Sequence, residues 1–162
     1  MTNRDCRPRG RLHLSVRDGN GVLIAERRTR NIVLRQGAAI VAGLFAGQAD
    51  AGAINNVQVG FAKEGATADT TALVPPDDAG IPAAALSSTI APADFTLVTD
   101  QANGVQVLVS SVFKPTLELV DVTEAGLRAG EKLYNQVVFE PVTLRPGQDI
   151  TLFWEIDFPF GH

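Results

Sequence analysis

Cysteine, tryptophan, tyrosine and methionine occur once each in this chain of 162 residues, and histidine twice. A lone thiol, Cys6, cannot close an internal disulfide, so packing and backbone hydrogen bonds must hold the fold. His13 and the C-terminal His162 are too few and too far apart to indicate a zinc site, and no metal or other cofactor is expected. Long apolar runs are missing too. The longest candidate is interrupted at Gly43 and Gly47, short of the ~20 residues that cross a bilayer. Met1-Thr2-Asn3-Arg4-Asp5-Cys6-Arg7 continues into Arg9-Gly10-Arg11 where a secretory signal would have its apolar segment, so the sequence predicts a soluble chain with no signal peptide and no membrane partner.

Catalytic patterns are equally scarce. Ser87-Ser88 lacks the flanking glycines of a nucleophile elbow. Asp77 and Asp78 are adjacent in a Pro/Gly-rich stretch, where carboxylates more often serve turns than acid–base chemistry. Gly60, Gly65, Gly104 and Gly147 are dispersed and make no phosphate-binding loop. Asp18-Gly19-Asn20-Gly21 begins like a calcium loop but lacks the acidic ligands further along. Neither enzymatic activity nor a small-molecule substrate is expected. Glu124, placed just after a strand, is expected to serve structure by binding a backbone amide or facing solvent.

What is present fits one globular domain: 45% hydrophobic and 20% charged residues, enough to bury a core. The net charge of −4 conceals a strong asymmetry. Residues 1–35 hold nine arginines against Asp5, Asp18 and Glu26, a balance of +6, which leaves −10 on residues 36–162. Such a basic segment has three readings: a solvated surface, a contact with the acidic body of a neighbouring subunit, or a nucleic-acid site. The aromatic platforms of single-strand binders are absent around these arginines, and the acidic remainder would repel a polyanion, so nucleic acid is the least favoured.

Period-two alternation of Leu12, Leu14 and Val16 with Arg11, His13, Ser15 and Arg17 predicts a strand with one wet face. The Asp-Gly and Asn-Gly pairs that follow predict a hairpin returning over residues 22–28. After an extended piece at 31–34, Ile40, Val41, Leu44 and Phe45 stand at helical spacing in an Ala/Gly-rich helix that should lie against a sheet and stop at Gly47. Further strands are expected around Val57 to Phe61, over 95–98 and 105–113, at 117–122, at 133–139 and at 150–158. Between them, residues 62–94 read as one long irregular loop rich in proline, the kind of segment that forms interfaces. The core is predicted to contain Leu14, Val59, Val107, Val109, Val137, Phe139, Leu152, Trp154 and Ile156. Tyr134 is the aromatic expected outside it.

Three blocks in order carry a family resemblance: Asn31-Ile32-Val33-Leu34-Arg35-Gln36-Gly37 running into the helix, Leu133-Tyr134-Asn135-Gln136-Val137-Val138-Phe139-Glu140-Pro141, and Ile150-Thr151-Leu152-Phe153-Trp154-Glu155-Ile156-Asp157-Phe158. Together with Glu124-Ala125-Gly126-Leu127, they resemble small tailed-bacteriophage virion proteins of the tail, baseplate and collar region, over roughly residues 20–62 and 117–158. Asp69, Thr70 and Leu73 also fit the outline of that family. The resemblance implies a virion structural protein, made and assembled in the bacterial cytoplasm, whose partners are its own copies and other virion proteins. Capsid decoration and a receptor- or carbohydrate-binding module are the alternatives.

The expected architecture is mainly β, an antiparallel β-sandwich of about seven to nine strands with one short helix and the long loop. Residues 1–10 would form a flexible basic arm, and residues 11–162 the domain. Candidate subunit contacts are Arg4, Arg7, Arg9 and Arg11 in the arm, with Asp69, Pro75, Pro76, Asp77, Asp78 and Ile81 in the loop.

Overall fold

The computed structural model describes residues 7–65 and 67–160. Eleven strands and one α-helix follow in the order β1 (Arg9–Arg17), β2 (Leu23–Arg30), β3 (Ile32–Val33), α1 (Arg35–Phe45), β4 (Asn56–Gly60), β5 (Ser87–Thr89), β6 (Phe95–Val98), β7 (Gly104–Phe113), β8 (Leu119–Ala129), β9 (Lys132–Leu133), β10 (Asn135–Leu144) and β11 (Asp149–Pro159). They form two antiparallel sheets. The first runs β2-β1-β11-β7-β6; the second runs β3-β10-β8-β4-β5, with β9 paired to β8. The chain is a β-sandwich, and its count exceeds seven to nine because β3, β5 and β9 are two or three residues long and carry no alternation to read.

Alternation decides which side of each strand is dry. In β1, Leu12, Leu14 and Val16 are buried while Arg11 and Arg17 are exposed. The hairpin into β2 closes through Asp18, whose carboxylate accepts the Asn20 and Val22 amides at 2.9 and 3.0 Å, with Gly21 at φ +81°. Register sets Leu12 and Val109 on either side of Trp154, which is fully buried between them. Of the predicted core, Leu14, Val59, Val109, Val137, Phe139, Leu152, Trp154 and Ile156 are buried, and Val107 is partly buried against the same cluster.

Side chains close the seams between the sheets. β3 reaches only Asn135 and Gln136 of β10, so the carbonyls further along that strand have no ladder partner on this side. Arg27 donates to the Glu140 and Pro141 carbonyls at 2.9 and 2.8 Å, and the Thr29 hydroxyl donates to the Val138 carbonyl at 3.2 Å. At the other seam the Ser88 hydroxyl donates to the Val112 carbonyl at 3.2 Å. These bonds satisfy edge acceptors that would otherwise invite an added strand.

Several expectations are corrected. Arg9 and Gly10, assigned to the arm, begin β1. The 62–94 segment holds β5 and two single 3-10 turns, Ala83–Leu86 and Pro92–Asp94. β8 continues past Val122 through Ala129, so Glu124 stands mid-strand, and β10 continues through Pro141 to Leu144. Tyr134 is buried: the close approach of Gly37 to its backbone carries helix α1 over it. The helix itself buries Gly37, Ile40 and Gly43, whereas Val41, Leu44 and Phe45 remain 40%, 46% and 95% exposed. Gly37 and Gly43 make the close packing beside Ile40, and the other large apolar residues face outward.

Candidate functional site

The outer face of the second sheet is built in two parts. Near α1 it is dry, where Leu34, Leu73 and Leu133 form a small separate cluster. Gly126 faces that cluster, and a Cβ there would crowd the Asn135 carbonyl and the Leu133 side chain. The segment after β4 is pinned across this face. The Phe61 amide donates to the Val74 carbonyl at 3.0 Å, the Thr123 hydroxyl to the Ala62 carbonyl at 2.6 Å, and the Arg35 amide to the Ala68 carbonyl at 2.8 Å.

Glu124 is the centre of this anchorage. Its side chain is fully buried. One oxygen accepts the Val74 amide at 2.6 Å and the other accepts the Gln136 side-chain amide. Gly60 leaves room for it, since a Cβ at that position would collide with the carboxylate. Burial raises the Glu124 pKa above the ordinary carboxylate value, against the opposing pull of hydrogen bonds from Gln136 and from the Val74, Ala62 and Phe61 backbone. A carboxylate placed where a valine or threonine would suit a strand is thus committed to holding the covering segment. The sequence signal for it was the lone Glu inside an apolar run.

Beyond Val74 the same face opens into a groove of about 1190 Å³. Its floor includes Phe61, Val74, Val120 and Val138; Val74 and Val120 are 46% and 57% exposed. Its carboxylates are Glu64, Asp77, Asp78, Glu118, Asp121 and Glu140, with Lys63 as the one basic group of the lining. Asp121 sits at φ +56°, where the pairing of β8 with β10 also shifts register, and this irregularity brings it to the groove.

Four of the loop residues singled out from sequence, Pro76, Asp77, Asp78 and Ile81, line this groove together. Pro75 is exposed beside it without lining it. Asp69 lies elsewhere, bound to Arg35 at 2.6 Å, and serves the covering segment. The sequence reading missed Val120 and Asp121 of β8, Glu118 just before it, and Glu140 of β10, the strand paired with β8. Their separation along the chain hides the grouping.

Arg11, Arg28 and Arg30 lie on the outer face of the first sheet, whereas Arg27 turns to the Glu140 and Pro141 carbonyls and Arg35 to Asp69. Arg11 pairs with Glu155 at 3.0 Å, and Arg28 and His13 both meet Glu26, at 2.9 and 2.6 Å. The Arg28 hydrogen bond, then that of His13, holds the Glu26 carboxyl below its usual range. Arg9 is exposed on the same face and Arg7 precedes it; Arg4 lies outside the described residues. Among the described residues, no group of three or more His, Cys, Asp or Glu is placed to hold a metal ion, and no helix is long and apolar enough to cross a membrane.

No protein-family model, no curated protein and no solved structure matches this chain. A functional reading rests on its own surfaces.

Proposed function

We propose that this chain is a structural subunit of a phage or phage-like particle, assembling through subunit contacts in the tail, baseplate or collar. The observation that carries the reading is the pinned groove on the second sheet: the segment expected to contact neighbours is fastened by Glu124 and Thr123 and presents a shaped apolar floor to solvent. A fixed concave surface costs nothing to order on binding, which favours a protein partner of matching shape. The exposed Val41, Leu44 and Phe45 on α1 add a second apolar surface of the kind that subunit contacts cover. The ordered resemblance of the 31–37, 133–141 and 150–158 blocks supports the virion assignment. Native mass measurement over a concentration series, followed by electron microscopy of the heaviest species, tests the reading. Rings or stacks of a fixed copy number are expected; a monomer at every concentration refutes it.

A further inference from the structure

The outer face of the first sheet mixes Arg11 and Arg28 with Glu155 and Glu26, whereas the groove lining on the second sheet is strongly acidic. The groove lies on the outer face of the second sheet and carries six carboxylates, of which Glu118 alone has an ion-pair partner among the described residues, Arg145 at 3.2 Å. The first eleven residues carry Arg4, Arg7, Arg9 and Arg11 against Asp5 alone, and they lead into β1 on the first sheet. We propose that the groove receives the arginine-bearing segment that precedes β1, residues 1–8, of a second copy of this chain. This pairing rests on the assembly reading and deepens it by naming partner, surface and polarity.

Three physical arguments favour that occupant. Carboxylates around an apolar floor attract a cationic, extended peptide and repel nucleic acid or an acidic protein. The groove runs between the irregular 61–81 segment and strands β8 and β10, a cleft of about 1190 Å³ that has room for a short peptide. Finally, receptor and ligand are different surfaces of one molecule. Such a contact joins unlike surfaces and, repeated in one sense, propagates head to tail into a ring or a filament. β1, which the segment precedes, belongs to the first sheet, and the groove lies on the second.

Complementation between charge-reversed variants tests the pairing. One variant carries Glu64→Lys, Asp77→Lys and Glu140→Lys, which turn the lining from six carboxylates and one lysine into three carboxylates and four lysines; the other carries Arg4→Glu in the segment. Glu64, Asp77 and Glu140 are exposed, so circular dichroism should show an unchanged fold for the groove variant. Sedimentation velocity at near-physiological salt then measures self-association. Each variant alone should need about tenfold more protein, or higher still, to associate. An equimolar mixture should regain long alternating assemblies, because both of its cross-pairings, wild-type segment with wild-type groove and reversed segment with reversed groove, are attractive. A chain carrying all four reversals should regain long assemblies. Wild-type-like assembly by both single variants overturns the pairing and leaves the assembly reading standing. Recovery in the fourfold variant without recovery in the mixture places the segment in the groove of its own chain, which overturns the second copy. A wild-type chain that is monomeric throughout sinks the assembly reading and the pairing with it.

Discussion

Replacing Glu124 separates two roles that one side chain combines, a hydrogen-bond acceptor for the covering segment and a buried charge. Truncation to alanine leaves the Gln136 side-chain amide and the Val74 backbone amide without their acceptor. At about 1–3 kcal/mol for each unpaired donor, and with the Val74 bond only part-buried, Glu124→Ala should lose about 2–4 kcal/mol at acidic pH. Glutamine behaves differently. Its carbonyl can take the Val74 amide, while its NH₂ donates to Gln136 once that amide turns over, using a Gln136 oxygen that is buried and has no partner among the described residues. The pH dependence follows from the raised carboxyl pKa. Its proton is held more tightly in the folded state than in the unfolded one, so its stabilisation is full below the ordinary value of 4.5 and is lost as pH rises through the folded value. Glu124→Gln removes that loss and should be at least as stable as wild type at pH 8, with a flatter profile from pH 4 upward. Urea unfolding at pH 5 and pH 8, followed by the fluorescence of the single tryptophan, reads all of this. A glutamine variant as damaged as the alanine one, or one that keeps the full wild-type pH slope, refutes the assignment of charge burial to Glu124.

Trp154 is fully buried at the centre of β11, so Trp154→Ala should cost about 3–5 kcal/mol, and an unchanged melting midpoint would remove the strand from the core. Burial pushes the Tyr134 hydroxyl pKa up to about 12 from the ordinary 10.0 of a phenol, which corresponds to about 3 kcal/mol. That contribution is full below pH 10 and is lost as pH rises toward 12, so tyrosinate absorbance of this single tyrosine should appear together with unfolding. A tyrosinate signal titrating near pH 10 in folded protein would place the ring in solvent. Gly37→Ala sets about 1 kcal/mol of helix propensity against overlap with the Tyr134 carbonyl, a backbone group that cannot turn aside. The overlap should win by about 1–3 kcal/mol, measured as a lowered urea midpoint, and a stabilised variant would contradict the packing of α1.

The sequence alone determined the parts governed by local pattern. Alternation in 11–17, 105–113 and 150–158 fixed three strands of one sheet and their dry faces, because a two-residue period leaves a single way to bury Leu14, Val109 and Trp154 together. Asp18-Gly19-Asn20-Gly21 fixed the first hairpin, since its backbone and side-chain chemistry act within four residues. Composition separated the charge. What only tertiary structure decided is wherever partners lie far apart along the chain. Glu124 reads as a strand-end carboxylate until Val74, fifty residues away, and Gln136 are brought against it. The apolar face of α1 looks like a packing surface in isolation, but Gly37 and Gly43 admit the closest approach, so the glycine side was buried and Phe45 was left outside. The groove carboxylates acquire a common field only when β8 and β10 pair beneath the covering segment, because a potential depends on distance in space, and sequence separation does not encode it.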